Sequence, residues 1–172
     1  MKSLASEIKR KINRETACVN FTLVGVTAAA FALICIINSI ANVKSAAYKN
    51  VTFPSFAPSP FLCVLLWVLM SALFGAALAV VISTPTPEKN KKKYAVVTAA
   101  AAFVLCSAWI PLFYSAKSFL IAAFVAAVLS ALSAILFSLY SRISRLAAVM
   151  DAVFAAWTVY VLLFSLATAF SQ

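Results

Sequence analysis

Five apolar runs, separated by short polar stretches, divide the chain near 19–42, 61–83, 94–114, 119–140 and 147–170. Each is about 20 residues or longer, which as a helix crosses a hydrocarbon core of about 30 Å. None shows the alternating ten-residue pattern of a membrane barrel strand. Backbone groups in lipid have no water to bond, so each run must satisfy its own N–H and C=O groups as a helix. The pattern therefore predicts an all-α integral membrane protein, a bundle of five transmembrane helices. It is organised as a basic segment, 1–17, and a membrane domain, 18–172, with one long loop at 43–60.

The punctuation refines the helix ends. Pro60 suits a first helical turn, where its missing N–H would have had no partner. Thr84-Pro85-Thr86-Pro87 ends the second run. Pro111 is expected to kink or break the outer end of the third. Only 115–118 join the third and fourth runs, which predicts an antiparallel hairpin, and 141–145 form a second tight turn. In residues 2–16, Leu4, Ile8 and Ile12 recur at helical spacing, compatible with a short amphipathic helix on the inner leaflet or with a solvated basic tail. No internal repeat supports a secondary-transporter fold.

Composition fits this picture. Of 172 residues, 65% are hydrophobic and 10% charged, whereas about half apolar is usual for a soluble domain. The net charge of +10 is unevenly placed. Lys2, Lys9, Arg10, Lys11 and Arg14 precede the first run. Lys89, Lys91, Lys92 and Lys93 lie between the second and third, and Arg142 and Arg145 between the fourth and fifth. The opposite side has only Lys44, Lys49 and Lys117. The positive-inside rule then puts the N-terminus in the cytoplasm and the C-terminus outside, in what is expected to be a bacterial plasma membrane. These basic groups flank spans without an aromatic platform, so they read as topology signals and not as a nucleic-acid site.

The residue inventory excludes most chemistry. There is no histidine, and Cys18, Cys35, Cys63 and Cys106 are scattered singly, so neither a metal site nor a Ser-His triad is expected. Two glycines, Gly25 and Gly75, cannot build a phosphate loop. Asp151 is the one acidic residue inside a run, six residues from Arg145. It is expected to be an interfacial carboxylate at the cytoplasmic end, although an ionisable group at membrane depth is by default a functional candidate. Of the three tryptophans, Trp109 stands near the outer end of its run, where interface anchors are common. Trp67 and Trp157 stand deeper. Packing is the commonest use of such residues, and lining a pocket for a flat apolar ligand is the functional alternative.

Four stretches, in order, resemble the TspO/MBR family, the tryptophan-rich sensory or translocator proteins. The loop reads Pro54, Ser55, Phe56, Ala57, Pro58, with Ala47 and Tyr48 where the family has Trp-Tyr. The second helix has Phe61, Trp67, Gly75 and Ala77 at the family's spacings. The third has Trp109, Ile110, Pro111, Leu112, Phe113 and Tyr114, similar to Trp-Ser-Pro-Leu-Phe-Phe. Ser144, Arg145, Leu146, Ala147 and Ala148 precede the fifth. The chain departs at Ser71, Cys106, Val153, Phe154 and Ser165, where the family has tyrosine, asparagine, proline, tyrosine and asparagine.

The resemblance implies a TspO-like bundle, a homodimer, whose pocket opens toward the first loop and binds a porphyrin or similar lipophile. No cofactor is required. Trp67 and Trp157 would face the ligand, Phe61, Phe113, Phe154 and Trp109 would add wall, and Pro54, Phe56 and Pro58 would form a lid. A sensor or carrier is the reading it favours. The alternatives are light- or oxygen-dependent porphyrin breakdown by tryptophan chemistry, or a structural protein with a vestigial pocket.

Overall fold

The computed structural model describes residues 19–43 and 51–172. The basic segment 1–17 with its candidate amphipathic helix, and residues 44–50 with Ala47 and Tyr48, lie outside the described residues. Five long helices follow in order: α1 (Phe21–Asn42), α2 (Pro60–Ser83), α3 (Lys89–Ile110), α4 (Phe119–Ser141) and α5 (Arg145–Phe170). Each is long and apolar enough to cross a membrane.

Three of the five helix starts are capped by a side chain. Leu23 N donates to Asn20 Oδ1 at 3.1 Å, Leu62 N to Ser59 Oγ at 3.4 Å, and Ala147 N to Ser144 Oγ at 3.5 Å. Each cap takes one of the orphan amides that a helix start leaves in or near lipid.

One boundary differs from expectation. α3 begins at Lys89, within the lysine run, because nothing after Pro87 breaks the helix. Lys92 Nζ folds back onto the Thr84 carbonyl at 3.1 Å and also reaches that of Ile82, covering the carbonyl end of α2. At Pro111 the α-helix breaks, as expected. The proline opens a π-helical turn, Pro111–Ser115, closed by Ala116 N on Pro111 O at 2.9 Å. The wider turn accommodates the missing amide. Lys117 then adopts a left-handed backbone, φ 51°, which turns the chain into α4.

Contacts are most extensive between α4 and α5, then between α1 and α2, then α3 with α4 and α2 with α5. The order around the bundle is therefore α1, α2, α5, α4, α3, with lighter α1–α3 contact closing the ring. α2 is the most enclosed, and Phe74 to Val81 are buried without a break. α1 is the least enclosed, with Phe21, Ile37 and Ile40 facing outward as lipid-facing residues should. One end of the bundle carries Lys89–Lys93, Arg142 and Arg145 and is called the basic end below. The other carries residues 51–59 and is called the loop end.

Candidate functional site

Helical spacing brings three tryptophans to one place. On α2 the buried positions are Cys63, Trp67, Ser71 and Phe74, on α3 they include Ala102, Cys106 and Trp109, and on α5 they include Phe154, Trp157, Val161 and Phe164. Steps of three and four residues keep each set on one face. Trp67 lies 5.0 Å from Trp109 between ring centroids, tilted by 32°, and 5.7 Å from Trp157, edge-on at 86°. Both contacts fall in the range where aromatic pairs attract.

Further rings extend the cluster both ways. Phe113 stacks on Trp109 at 4.6 Å, and toward the basic end Phe154 meets Phe74 at 4.6 Å. Tyr160 stacks between Trp157 at 5.3 Å and Phe164 at 6.3 Å. The loop closes over this end. Phe53 is inserted against Phe164 at 6.0 Å, nearly parallel at 11°. Ala57 N donates to Pro54 O at 2.9 Å, making the tight turn that the two prolines bracket. Tyr160 Oη donates to Phe56 O at 3.3 Å, and Gln172 Nε2 to Thr52 O at 3.1 Å, so α5 holds the loop at two points.

Of the residues singled out from sequence, Trp67, Trp109, Trp157, Phe113 and Phe154 belong to this continuous aromatic interior. Pro54 and Pro58 are half-buried above it, and Phe56 is exposed on the loop with its ring edge toward Tyr160. Phe61 is not brought to the cluster. It is 78% exposed, because two residues before Cys63 is the opposite side of the helix. Trp109 is not an interface anchor but fully buried, since the π-helical turn carries the helix beyond it. Phe53, Tyr160 and Phe164 were not singled out. For the last two the signal was present, because they follow Trp157 by three and seven residues. For Phe53 nothing local marks insertion.

The polar groups are few and mostly spoken for. Trp109 Nε1 donates to Ser165 Oγ at 3.0 Å, and Ser165 Oγ donates to Val161 O at 2.7 Å. Cys63 Sγ and Tyr114 Oη are 3.1 Å apart. Between α1, α2 and α3, a cavity of about 10 Å³ is lined by Cys35, Asn38, Ser71, Cys106 and Ser107 among others, about the space of one water. Two donors stand out instead by having nothing: Trp67 Nε1 and Trp157 Nε1 are buried without an acceptor. Leaving a buried donor unmatched costs about 1–3 kcal/mol. No group of three or more His, Cys, Asp or Glu among the described residues could hold a metal ion.

Asp151 differs from its expectation as an interfacial carboxylate. It is 0% exposed, turned inward by the register that also buries Ala147 and Phe154, and neither oxygen has a hydrogen-bond partner.

Residues 23–170 match the model of the TspO/MBR family. No curated protein matches the chain.

Proposed function

Because the chain belongs to the TspO/MBR family across residues 23–170, we propose that it is a membrane-embedded sensor or carrier for a flat lipophile of the porphyrin class. The observation that carries this reading is the pair of unmatched indole donors, Trp67 Nε1 and Trp157 Nε1, inside one aromatic cluster. A flat ligand with acceptor atoms would supply both what the rings attract and what the N–H groups lack. A stacked aromatic contact is worth about 0.5–1.5 kcal/mol beyond area burial. The loop from Phe53 to Pro58 is the entry segment in this reading. We place the protein in a bacterial plasma membrane with the basic end in the cytoplasm and the C-terminus outside, as a homodimer.

A second reading has an observation of its own. Trp67 and Trp157 touch edge-on at 5.7 Å, which leaves no ring-sized gap between them. A ligand must lie beside the pair or part it. If neither occurs, the cluster is packing and the protein is a structural one with a closed pocket.

Titration with protoporphyrin IX in detergent, read by quenching of tryptophan fluorescence, separates the two. Saturable quenching, weakened about tenfold or more in the Trp67→Phe, Trp157→Phe double variant, is the expected outcome; it corresponds to about 1.4 kcal/mol. Quenching that never saturates supports the closed bundle.

A further inference from the structure

Tyr140 near the end of α4 and Asp151 near the start of α5 are both 0% exposed. The Tyr140 hydroxyl and both Asp151 oxygens lack any hydrogen-bond partner. α4 and α5 run antiparallel with the most extensive contact in the bundle. Side chains lean toward the start of their own helix, so Tyr140 leans inward from the basic end while Asp151 leans back toward it. They are remote in sequence and register from Trp67, which lies in the loop half of α2.

We propose that Asp151 is a proton-binding site in the basic half of the bundle, at which its buried carboxylate takes up one proton from water. The occupant must be cationic or supply a donor, because both Asp151 oxygens are acceptors without a donor and the Tyr140 hydroxyl adds only one more oxygen at this end. Three oxygens are too few for the hard divalent ions, which take about six or more, and no metal-holding group of acidic or sulfur residues occurs among the described residues. A proton needs only one carboxylate oxygen.

Nothing else described at this end neutralises the carboxylate. α4 contributes Tyr140 alone, and the Cys63 thiol of α2 lies at the loop end. Arg142 and Arg145 beside the α4–α5 turn are exposed. At the start of α3, Lys91 pairs with Glu88 and Lys92 is held on the carbonyls of α2, while Lys89 and Lys93 are exposed. An intramembrane carboxylate of this kind is characteristic of proton relays and ion pathways.

The test is infrared difference spectroscopy of the full chain in lipid nanodiscs across a pH titration. Proton uptake is counted in unbuffered solution alongside it. The expected result is a carboxylic acid C=O band that moves in D2O, titrates reversibly and is lost in Asp151→Asn, with the loss of one proton per chain. If Asp151→Asn fails to fold, Asp151→Glu decides, the band persisting at a shifted frequency with the same proton count. A band that survives in Asp151→Asn overturns the proposal. So does one displaced by sodium or calcium.

Discussion

Pro111 has no N–H to give to the Ser107 carbonyl four residues back, and that carbonyl instead receives Asn38 Nδ2 from α1 at 2.6 Å. Asn38 is then held in turn, for Asn42 Nδ2 donates to Asn38 Oδ1 at 2.8 Å and Ser115 Oγ donates to Asn42 Oδ1 at 2.8 Å. The proline and the asparagine thus explain each other. An open carbonyl in a lipid-surrounded helix is costly, and one side-chain amide closes it. Asn38→Leu is expected to lose about 1–3 kcal/mol, measured by unfolding in mixed detergent. In a Pro111→Ala background, where a backbone N–H is restored, the same change should cost less. Equal costs in both backgrounds would show that the amide serves something other than the proline. From sequence, Asn38 was legible only as a polar residue near a span end, where it costs little. Its partner lies in another helix, and no local pattern encodes that. Trp109 and Ser165 make the same point: the serine that accepts the indole N–H stands on another helix, 56 residues away.

The two glycines, Gly25 in α1 and Gly75 in α2, do opposite things for their elements. A Cβ added at Gly75 would stand 2.9 Å from the Thr27 carbonyl oxygen and 3.0 Å from the Phe31 ring, whereas one at Gly25 would meet nothing within 4 Å. Gly75 is therefore the place where α1 lies directly on α2, an approach that small residues permit in lipid. Gly75→Ala is expected to destabilise by about 1–3 kcal/mol through overpacking, since the nearest atom is backbone and cannot turn aside. Gly25→Ala should be neutral or gain up to about 1 kcal/mol from helix propensity. Thermal unfolding of both in one detergent checks the pair, and equal effects would refute the assignment of the contact to Gly75. The elements themselves were largely legible, because length and apolarity decide a span. Their inward faces were less so. Lipid and core are both apolar, so the contrast that marks the buried face of a soluble helix is weak here. Phe61 shows the result: an aromatic at the start of α2 read as pocket wall faces outward instead. The start of α3 at Lys89 was missed for a related reason. Lysines end an apolar run without ending a helix, and their chains can reach carbonyls or water from a helical backbone.

The whole molecule joins an aromatic interior at the loop end to a nearly uniform band of positive charge at the basic end. The loop end is tied together across the chain, as Thr52 and Phe56 are held by Gln172 and Tyr160. The number of spans follows from sequence because lipid imposes it, whereas the order α1, α2, α5, α4, α3 around the bundle follows from contacts that sequence periodicity does not mark. Orientation follows from neither packing nor fold. It rests on basic residues counted near span ends, which are retained on the cytoplasmic side during insertion. With Lys89, Lys91, Lys92, Lys93, Arg142 and Arg145 at one end of the described helices and Lys117 alone at the other, the expectation is specific. Cys35, Cys63 and Cys106 are buried, and replacing all four native cysteines by serine or alanine gives a background for introduced ones. In intact cells a membrane-impermeant maleimide should label Gln172→Cys and leave Lys91→Cys untouched until the membrane is opened. The reverse pattern would invert the bundle. The loop end would then face the cytoplasm, and the proposed Asp151 site would draw its proton from outside. A flat lipophile of the proposed class would in that case reach the loop end from the cytoplasm, without first crossing the membrane.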